Sequence, residues 1–358
     1  MQKIGGLTLT IITGKVSGLN YGEGKGNIIP HKKITLANGL EFTYESDKAI
    51  KYNIRHQGKQ QFGWKLLDKK LEDYIRNHTQ KSGQDYFLKV DDFAKDLIKD
   101  YEEFDLFGGL FVKVKNFQAN KGKNKRNSEE ALKFPDGYDG VKRETCVTVN
   151  YAFSIEPYQG DMDFMTNSDA YERYMKHIMP NADKAIVLTE QSNSHYYYTV
   201  DVDLDRIGIW EDKDGNLNAV IDNETRYKRV EQLLEVIKLL YRKVKGRKEN
   251  LSPIFVIGGV FSVKNPFFLD SIRGKEKENR KLYLEVEPIL EALELIPKED
   301  KGNVVCGISL SHFANAEEIK DKLEKHGVKV LSVPQAFEEY KKQVRKYYEI
   351  DKEEKNNG

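Results

Sequence analysis

The sequence is poor in cysteine: two among 358 residues, Cys146 and Cys306, far apart and neither in a C-x-x-C pair. That spacing argues against both a disulfide framework and a cysteine zinc site. No apolar run is long enough to cross a bilayer. Residues Met1–Gly6 lack the charged and apolar regions of a secretory leader, so a cytoplasmic protein without a membrane partner is expected. Net charge is nearly absent, with 58 Lys and Arg against 57 Asp and Glu. Any basic function must therefore come from local asymmetry.

The common enzyme signatures are missing too. There is no G-x-S-x-G, H-E-x-x-H or Walker A motif. Gly24-Lys25-Gly26 has neither the first glycine of a P-loop at its proper spacing nor a Ser or Thr after the lysine. Asp212, Asp214 and Asn216 lack the sixth-position glycine and final Glu of an EF-hand, and read as a hairpin turn. No metal or cofactor is expected. Seven histidines are scattered. His31 and His56 are candidates for a general acid and base of RNA cleavage, although nothing in their spacing requires that role.

What is present is 39% apolar residues, enough for a real core, under a surface fed by 32% charged residues. The length suits two domains or one large domain with insertions. Twenty tyrosines suit interfaces and stacking surfaces as well as core edges.

The periodicities give an element order. Residues 7–13 alternate as a strand and end at Gly14. A glycine-rich loop follows, from Gly18 to Asn27, then a small hairpin of Ile34–Leu36 and Leu40–Tyr44. Ser46 is an N-cap for a helix with Ala49, Ile50 and Ile54 on one face, stopped by Gly58. Helical stretches at Leu66–His78 and Val90–Phe104 read as an insertion. Asp105–Phe111 reads as a turn into a short strand, and Cys146–Ile155 and His195–Leu204 as long strands. The clearest helix is Asp222–Lys245, with Gly246 at its C′ position. Pro253–Phe261 is a strand. A further strand (Val304–Leu310), a helix near Ala316–His326, a strand (Val328–Val333) and a helix entered at Pro334 complete the chain. The expected class is α+β in the ferredoxin-like, or RRM-like, split βαβ order.

The functional signals converge on nucleic acid. Glycines after the first strand let backbone approach phosphates, and Asn20, Lys25, Lys32 and Lys33 lie in or just after that loop. The next helix starts at Ser46, where an anion is favoured, and carries Lys48, Lys51 and Arg55. A basic ladder beside a glycine loop fits a sugar–phosphate track. Lys113–Arg126 carries six basic residues and no acid. Within it, Lys121, Lys123, Lys125 and Arg126 are expected to meet target DNA or a neighbouring subunit. Tyr196-Tyr197-Tyr198 lacks an RNP1 signature, so backbone grip is expected rather than base stacking on the sheet.

Gly6-Leu7-Thr8-Leu9-Thr10 into Ser17-Gly18-Leu19-Asn20, followed by the segment Glu45–Arg55, resembles the DevR family of CRISPR-associated proteins. Asp105-Leu106-Phe107-Gly108, Val141-Lys142-Arg143 into Ala152–Pro157, His195–Leu204 and Ile257-Gly258-Gly259 extend the resemblance over most of residues 1–265. Thr145 and Val260-Phe261 depart from the family pattern, which puts any contacts there in question.

The resemblance implies a non-catalytic backbone subunit of a type I, I-B-like Cascade complex that polymerises along crRNA. Its partners would be crRNA, target DNA, further copies of itself and other Cascade subunits. It implies an RRM-like palm over residues 1–265, with a helical finger insertion at 57–145 and a β-hairpin thumb at 156–194. Residues 266–358 would be a C-terminal α/β extension packed on the palm. The RNA-binding residues implied are Ser17, Asn20, Lys25, Ser46, Lys48, Lys51, Arg55, Lys142, Arg143, Gly258 and Gly259. In the thumb, Met162, Phe164 and Met165 lie among turn formers as candidate wedges between bases. The alternative is a metal-independent crRNA-processing endoribonuclease on a ferredoxin-like fold. The early position of the glycine loop favours the scaffold. A DNA-binding regulator is a more distant third reading.

Overall fold

Strand β1 (Gly6–Ser17) is central to a nine-stranded sheet, because Leu7, Leu9 and Ile11 point to one side of the pleat and Thr8, Thr10 and Ile12 to the other, and both sides are buried. The computed structural model describes residues 5–350 apart from positions 20, 25, 69, 83–84, 113–131, 136, 180, 182–183 and 185.

After β1 comes a hairpin of β2 (Lys33–Thr35) and β3 (Glu41–Glu45), then helix α1 (Asp47–Phe62). The insertion that follows contains α2 (Val90–Asp100) and α3 (Glu102–Phe107), with β4 (Gly109–Val112) paired to β5 (Gly140–Arg143). Two short strands, β6 (Val147–Val149) and β7 (Ala152–Ser154), both pair with the long β10 (Asn193–Asp203). Between them and β10 projects a hairpin, β8 (Asp161–Thr166) against β9 (Ile186–Gln191).

Helix α4 (Asn223–Lys238) is followed by hairpin β11 (Tyr241–Val244) and β12 (Arg247–Asn250), then β13 (Pro253–Phe261). The rest is hairpin β14 (Gly274–Glu276) and β15 (Leu282–Leu284), helix α5 (Glu287–Glu294), β16 (Val305–Ile308), α6 (Ala316–Lys325), β17 (Lys329–Leu331) and α7 (Val333–Tyr347).

The sheet order is β17-β16-β13-β1-β10-β7-β3-β2, with β6 also on β10. Helices α1, α4 and α7 cover one face. Ile50, Ile54, Leu233, Ile237, Phe337 and Tyr340 form one core there with Leu7, Leu9, Ile11, Tyr196 and Tyr198. On the other face, Ile12, Phe255, Ile257 and Phe261 pack under Leu284, Ile289, Ile319 and Leu323 of the C-terminal region. Truncating any one of these buried aliphatics to Ala typically costs about 2–5 kcal/mol. A third core, built on Phe93, Leu97, Phe104 and Val141 and closed by Trp210, belongs to the insertion.

The α+β class and most element positions agree with the sequence reading, and the differences have local causes. Helix α1 runs through Gly58 to Phe62, and Gly63 ends it at φ 73°. Gly58 instead admits Trp64: a Cβ at that position would sit 2.1 Å from the indole ring. The helix from Asp222 stops at Lys238, and Tyr241–Asn250 is a hairpin turning at Lys245 (φ 45°) and Gly246 (φ 81°). Two consecutive positive φ angles make the primed turn that fits strand twist. Cys146–Ile155 is two short strands rather than one. The stretch from Glu102 to Phe107 is a helix rather than the start of a turn. Asp212, Asp214 and Asn216 form a hairpin turn, with the Asp212 carboxylate accepting the Asp214 and Asn216 amides at 3.0 and 2.9 Å. Among the described residues, no helix is long and apolar enough to cross a membrane.

Candidate nucleic-acid interface

At the C-terminal end of β1, four segments meet. They are the glycine loop after Ser17, the hairpin β11–β12, the base of the projecting hairpin β8–β9, and the start of β2. The Ser17 amide donates to the Glu249 carboxylate at 3.1 Å, and Arg247 reaches Gln191 Oε1 at 3.1 Å. The Lys245 ammonium lies 4.1 Å from the Tyr21 ring centroid and donates to Thr189 at 3.2 Å. Tyr21 stacks on His31 at 4.6 Å, and Lys33 lies 4.1 Å from the Tyr158 ring while bonding Glu190 at 3.1 Å. Partial desolvation lowers the Lys245 pKa, and the nearby Arg247 charge adds to it. A phosphate placed there would offset the Arg247 repulsion. Lys243 and Lys248 extend the patch, both exposed.

The expected residues divide into three groups. Ser17 lies at this junction, and Ser46 sits before α1, its side chain making no capping bond. Lys48 is exposed on α1. Lys51 pairs weakly with Asp47 at 4.0 Å, and its pKa is lowered by burial, with Asp47 opposing and Arg55 reinforcing. Arg55 bonds Glu103 of α3 at 3.1 Å and faces Phe107 at 5.7 Å, so it ties the helix to the insertion. The sequence set Lys51 and Arg55 on one ladder; the fold gives each an acidic partner.

Lys142 is exposed beside Glu144 at 3.6 Å. Its neighbour Arg143 is buried. With Arg229 it clamps the fully buried Asp105 carboxylate, which also accepts the Gly208 amide at 2.8 Å. Arg143 further donates to the Ile209 carbonyl at 2.6 Å, and Arg229 to the Ile98 and Lys99 carbonyls at 2.8 Å each. This cluster joins α4 to the insertion and leaves Arg143 no surface for a phosphate. Gly258 and Gly259 are likewise buried in β13: a Cβ would meet the Thr8 carbonyl at 1.8 Å and the Asn303 carbonyl at 2.3 Å. Their role is close packing of strands, not contact with RNA. Asn20, Lys25, Lys121, Lys123, Lys125 and Arg126 lie outside the described residues.

In the projecting hairpin, Met162, Phe164 and Met165 are all exposed, Phe164 to 59%, so none tucks back onto the sheet. Its base is closed by Glu156. That carboxylate accepts from Ser194 Oγ at 2.5 Å and the His195 amide at 2.9 Å, and pairs with His195 Nδ1 at 2.6 Å. Burial raises the Glu156 pKa, but these partners outweigh it and hold it low.

Sequence reasoning missed Arg242, Lys243, Lys245, Arg247 and Lys248, because the periodicity extends the helix to Lys245 with Gly246 as its C′ residue, which hides the hairpin. The available signal was five cations in the seven residues 242–248 around a glycine. It missed Tyr21 and Tyr158 as cation partners as well. His31 is buried against Tyr21, whereas His56 is exposed on α1 against Tyr52 at 4.0 Å. No contact joins the two histidines among the described residues.

The family model described as "CRISPR-associated negative auto-regulator DevR/Csa2" matches residues 9–280. Among solved structures, one chain titled "CRISPR RNA-guided surveillance complex, pre-nicking" superposes with a TM-score of 0.52 at 13% identity, over 96% of this chain and 99% of that one. A second, titled "CRISPR RNA-guided surveillance complex", gives 0.49 at 13% identity over 93% and 97%. No curated protein sequence matches.

Proposed function

Because the chain belongs to the DevR/Csa2 family of CRISPR-associated proteins, we propose that it is a non-catalytic subunit that grips crRNA through its phosphate backbone. In this reading it forms the backbone of a Cascade-type surveillance complex. Further copies, other Cascade subunits and target DNA are its partners. The observation that carries the reading is the cationic junction at the end of β1, where Lys245, Arg247 and Lys33 gather around Tyr21, Tyr158 and a glycine loop.

The order β13-β1-β10-β7, with α1 after the first strand and α4 after the third, supports describing the palm as RRM-like. On that description the palm spans 1–265 and the insertions at 57–145 and 156–194 are finger and thumb. Residues 266–358 are an extension packed on the palm. Ser17, Ser46, Lys48, Lys51 and Lys142 flank the RNA track, with Arg55 holding α1 in place. Met162, Phe164 and Met165 lie on the exposed strand β8, all six of whose residues are exposed, and serve as the wedge that unstacks a base step. Lys121, Lys123, Lys125 and Arg126 remain the proposed contact to target DNA.

The test is to purify the full chain and characterise the co-purifying nucleic acid by length and sugar. RNA should be retained, and replacing Lys243, Lys245, Arg247 and Lys248 by Ala should release it. Cleavage of repeat RNA by the chain alone, or RNA retention unaffected by the quadruple change, would overturn the proposal.

A further inference from the structure

The C-terminal region covers only half of the sheet face opposite the helices. Its core stops at Tyr197 on β10, which packs against it. Beyond Tyr197 the face continues as a row of rings contributed by separate strands. Phe153 of β7 lies 6.4 Å from Tyr197, Tyr44 of β3 lies 6.0 Å from Phe153, and Tyr151 stacks on Tyr44 at 5.6 Å with an interplanar angle of 21°. The strand period places these side chains together, since Thr43, Glu45, Ala152, Ser154 and Tyr196 turn inward beneath the helices. Tyr151 is 47% exposed. No described helix or loop covers it.

An aromatic row on a sheet is a platform for unstacked bases, because every base has a π face. The charge beside it fits the same occupant. Where the C-terminal region ends against the row, Ile155 meets Gly274 of the β14–β15 hairpin. Just there stand Arg273 and Lys275, both exposed and without an ion pair among the described residues. Arg273 acts electrostatically on Tyr197, as does Asp270 with the opposite sign. The single acid within β14, Glu276, is paired to Lys15 at 2.6 Å.

We propose that this face is a second nucleic-acid site, distinct from the cationic junction, that takes a single strand. Bases stack on Tyr151, Tyr44 and Phe153 while Arg273 and Lys275 meet its backbone. The site is sequence-tolerant, since stacking does not read base edges. It uses none of the residues on which the guide-RNA reading rests.

The experiment titrates the full chain with fluorescent 12-mers of dT and rU, and photo-crosslinks the wild-type complex for peptide mapping. Wild type should show crosslinks at both the 241–250 hairpin and the peptides holding Tyr44 and Tyr151. Tyr151→Leu should weaken one binding class by roughly tenfold, as expected for losing one stacked base, with the hairpin crosslinks kept. The quadruple Ala variant of the hairpin should do the converse. Tyr151→Leu removes a half-exposed ring that stacks on Tyr44, and its melting curve reports whether the variant folds. Crosslinks confined to the hairpin would overturn the second site and leave the first intact. Unchanged oligonucleotide binding by Tyr151→Leu, with a changed sedimentation coefficient, would assign the row to contact between copies.

Discussion

Two groups of arginines and lysines in this molecule do opposite things. Around Asp105, Arg143 and Arg229 are buried and donate to its carboxylate and to backbone carbonyls. Around Gly246, Lys243, Lys245 and Lys248 stand in solvent, crowded together with few acids to answer them. The first arrangement is closed and ties α3 and β5 to α4. The second is open, its lysines facing solvent with Glu249 as the acid nearest Arg247. Charge in a sequence therefore says little until the fold reveals whether its partner lies inside the chain.

Folding stability separates the two most sharply. Asp105→Ala leaves two arginines buried and unpaired, so guanidinium denaturation should show a loss of about 3–5 kcal/mol; a loss under ~1 kcal/mol would dissolve the contrast. Glu45 is an intermediate case. It is buried against Arg242, and its carboxyl is raised to about 7 by burial, with Arg242 opposing. Its folded pKa lies above its unfolded one. Its contribution is therefore fully present below about 4.5 and is lost as pH rises through about 7, an effect of order 3 kcal/mol. Urea melts of wild type and Glu45→Gln across that window should diverge, with the variant the flatter of the two.

At the open end, replacing Lys243, Lys245, Arg247 and Lys248 by Ala should cost only about 1–2 kcal/mol of stability, most of it from the Arg247 and Lys245 contacts to Gln191, Thr189 and Tyr21. It should also reduce the slope of log affinity for RNA against log salt by roughly 0.7 for each lost contact. An unchanged slope would place the RNA elsewhere. The triple change of Met162, Phe164 and Met165 to Ala should have the smallest effect on melting, since all three are exposed. It should leave filaments on RNA short or irregular when sized by electron microscopy.

The alternating and helical segments were legible in the sequence. β1, β10 and β13 follow from their alternating or β-branched and aromatic runs, although both faces of β1 and β13 proved buried, and α7 was expected at its entry point near Pro334. The failures came where tertiary contact overrides local preference. Gly58 looks like a helix stop until Trp64 is seen lying on it. Val244 continues a helical period, yet faces inward from a strand. For the site, the loop position of Ser17 and the exposed helical position of Lys48 were readable from loop and helix chemistry, while their contact with RNA stays a proposal. Arg143 was misjudged because its partner Asp105 lies 38 residues earlier. The aromatic row was invisible, since its rings come from residues 44, 151, 153 and 197, and only sheet order brings them together.

The place of β1 in that order also has a cost during synthesis. Its two sheet neighbours, β10 and β13, begin at Asn193 and Pro253. At roughly 5–20 residues per second, β1 is made about 10–50 s before its last neighbour. Until β10 is made Leu7, Leu9, Ile11 and Ile12 have neither strand neighbour, and until β13 is made one edge of β1 stays unpaired. Nascent chains should thus depend on holding factors while β1 is unpaired, and chains stalled before Phe261 should aggregate through β1.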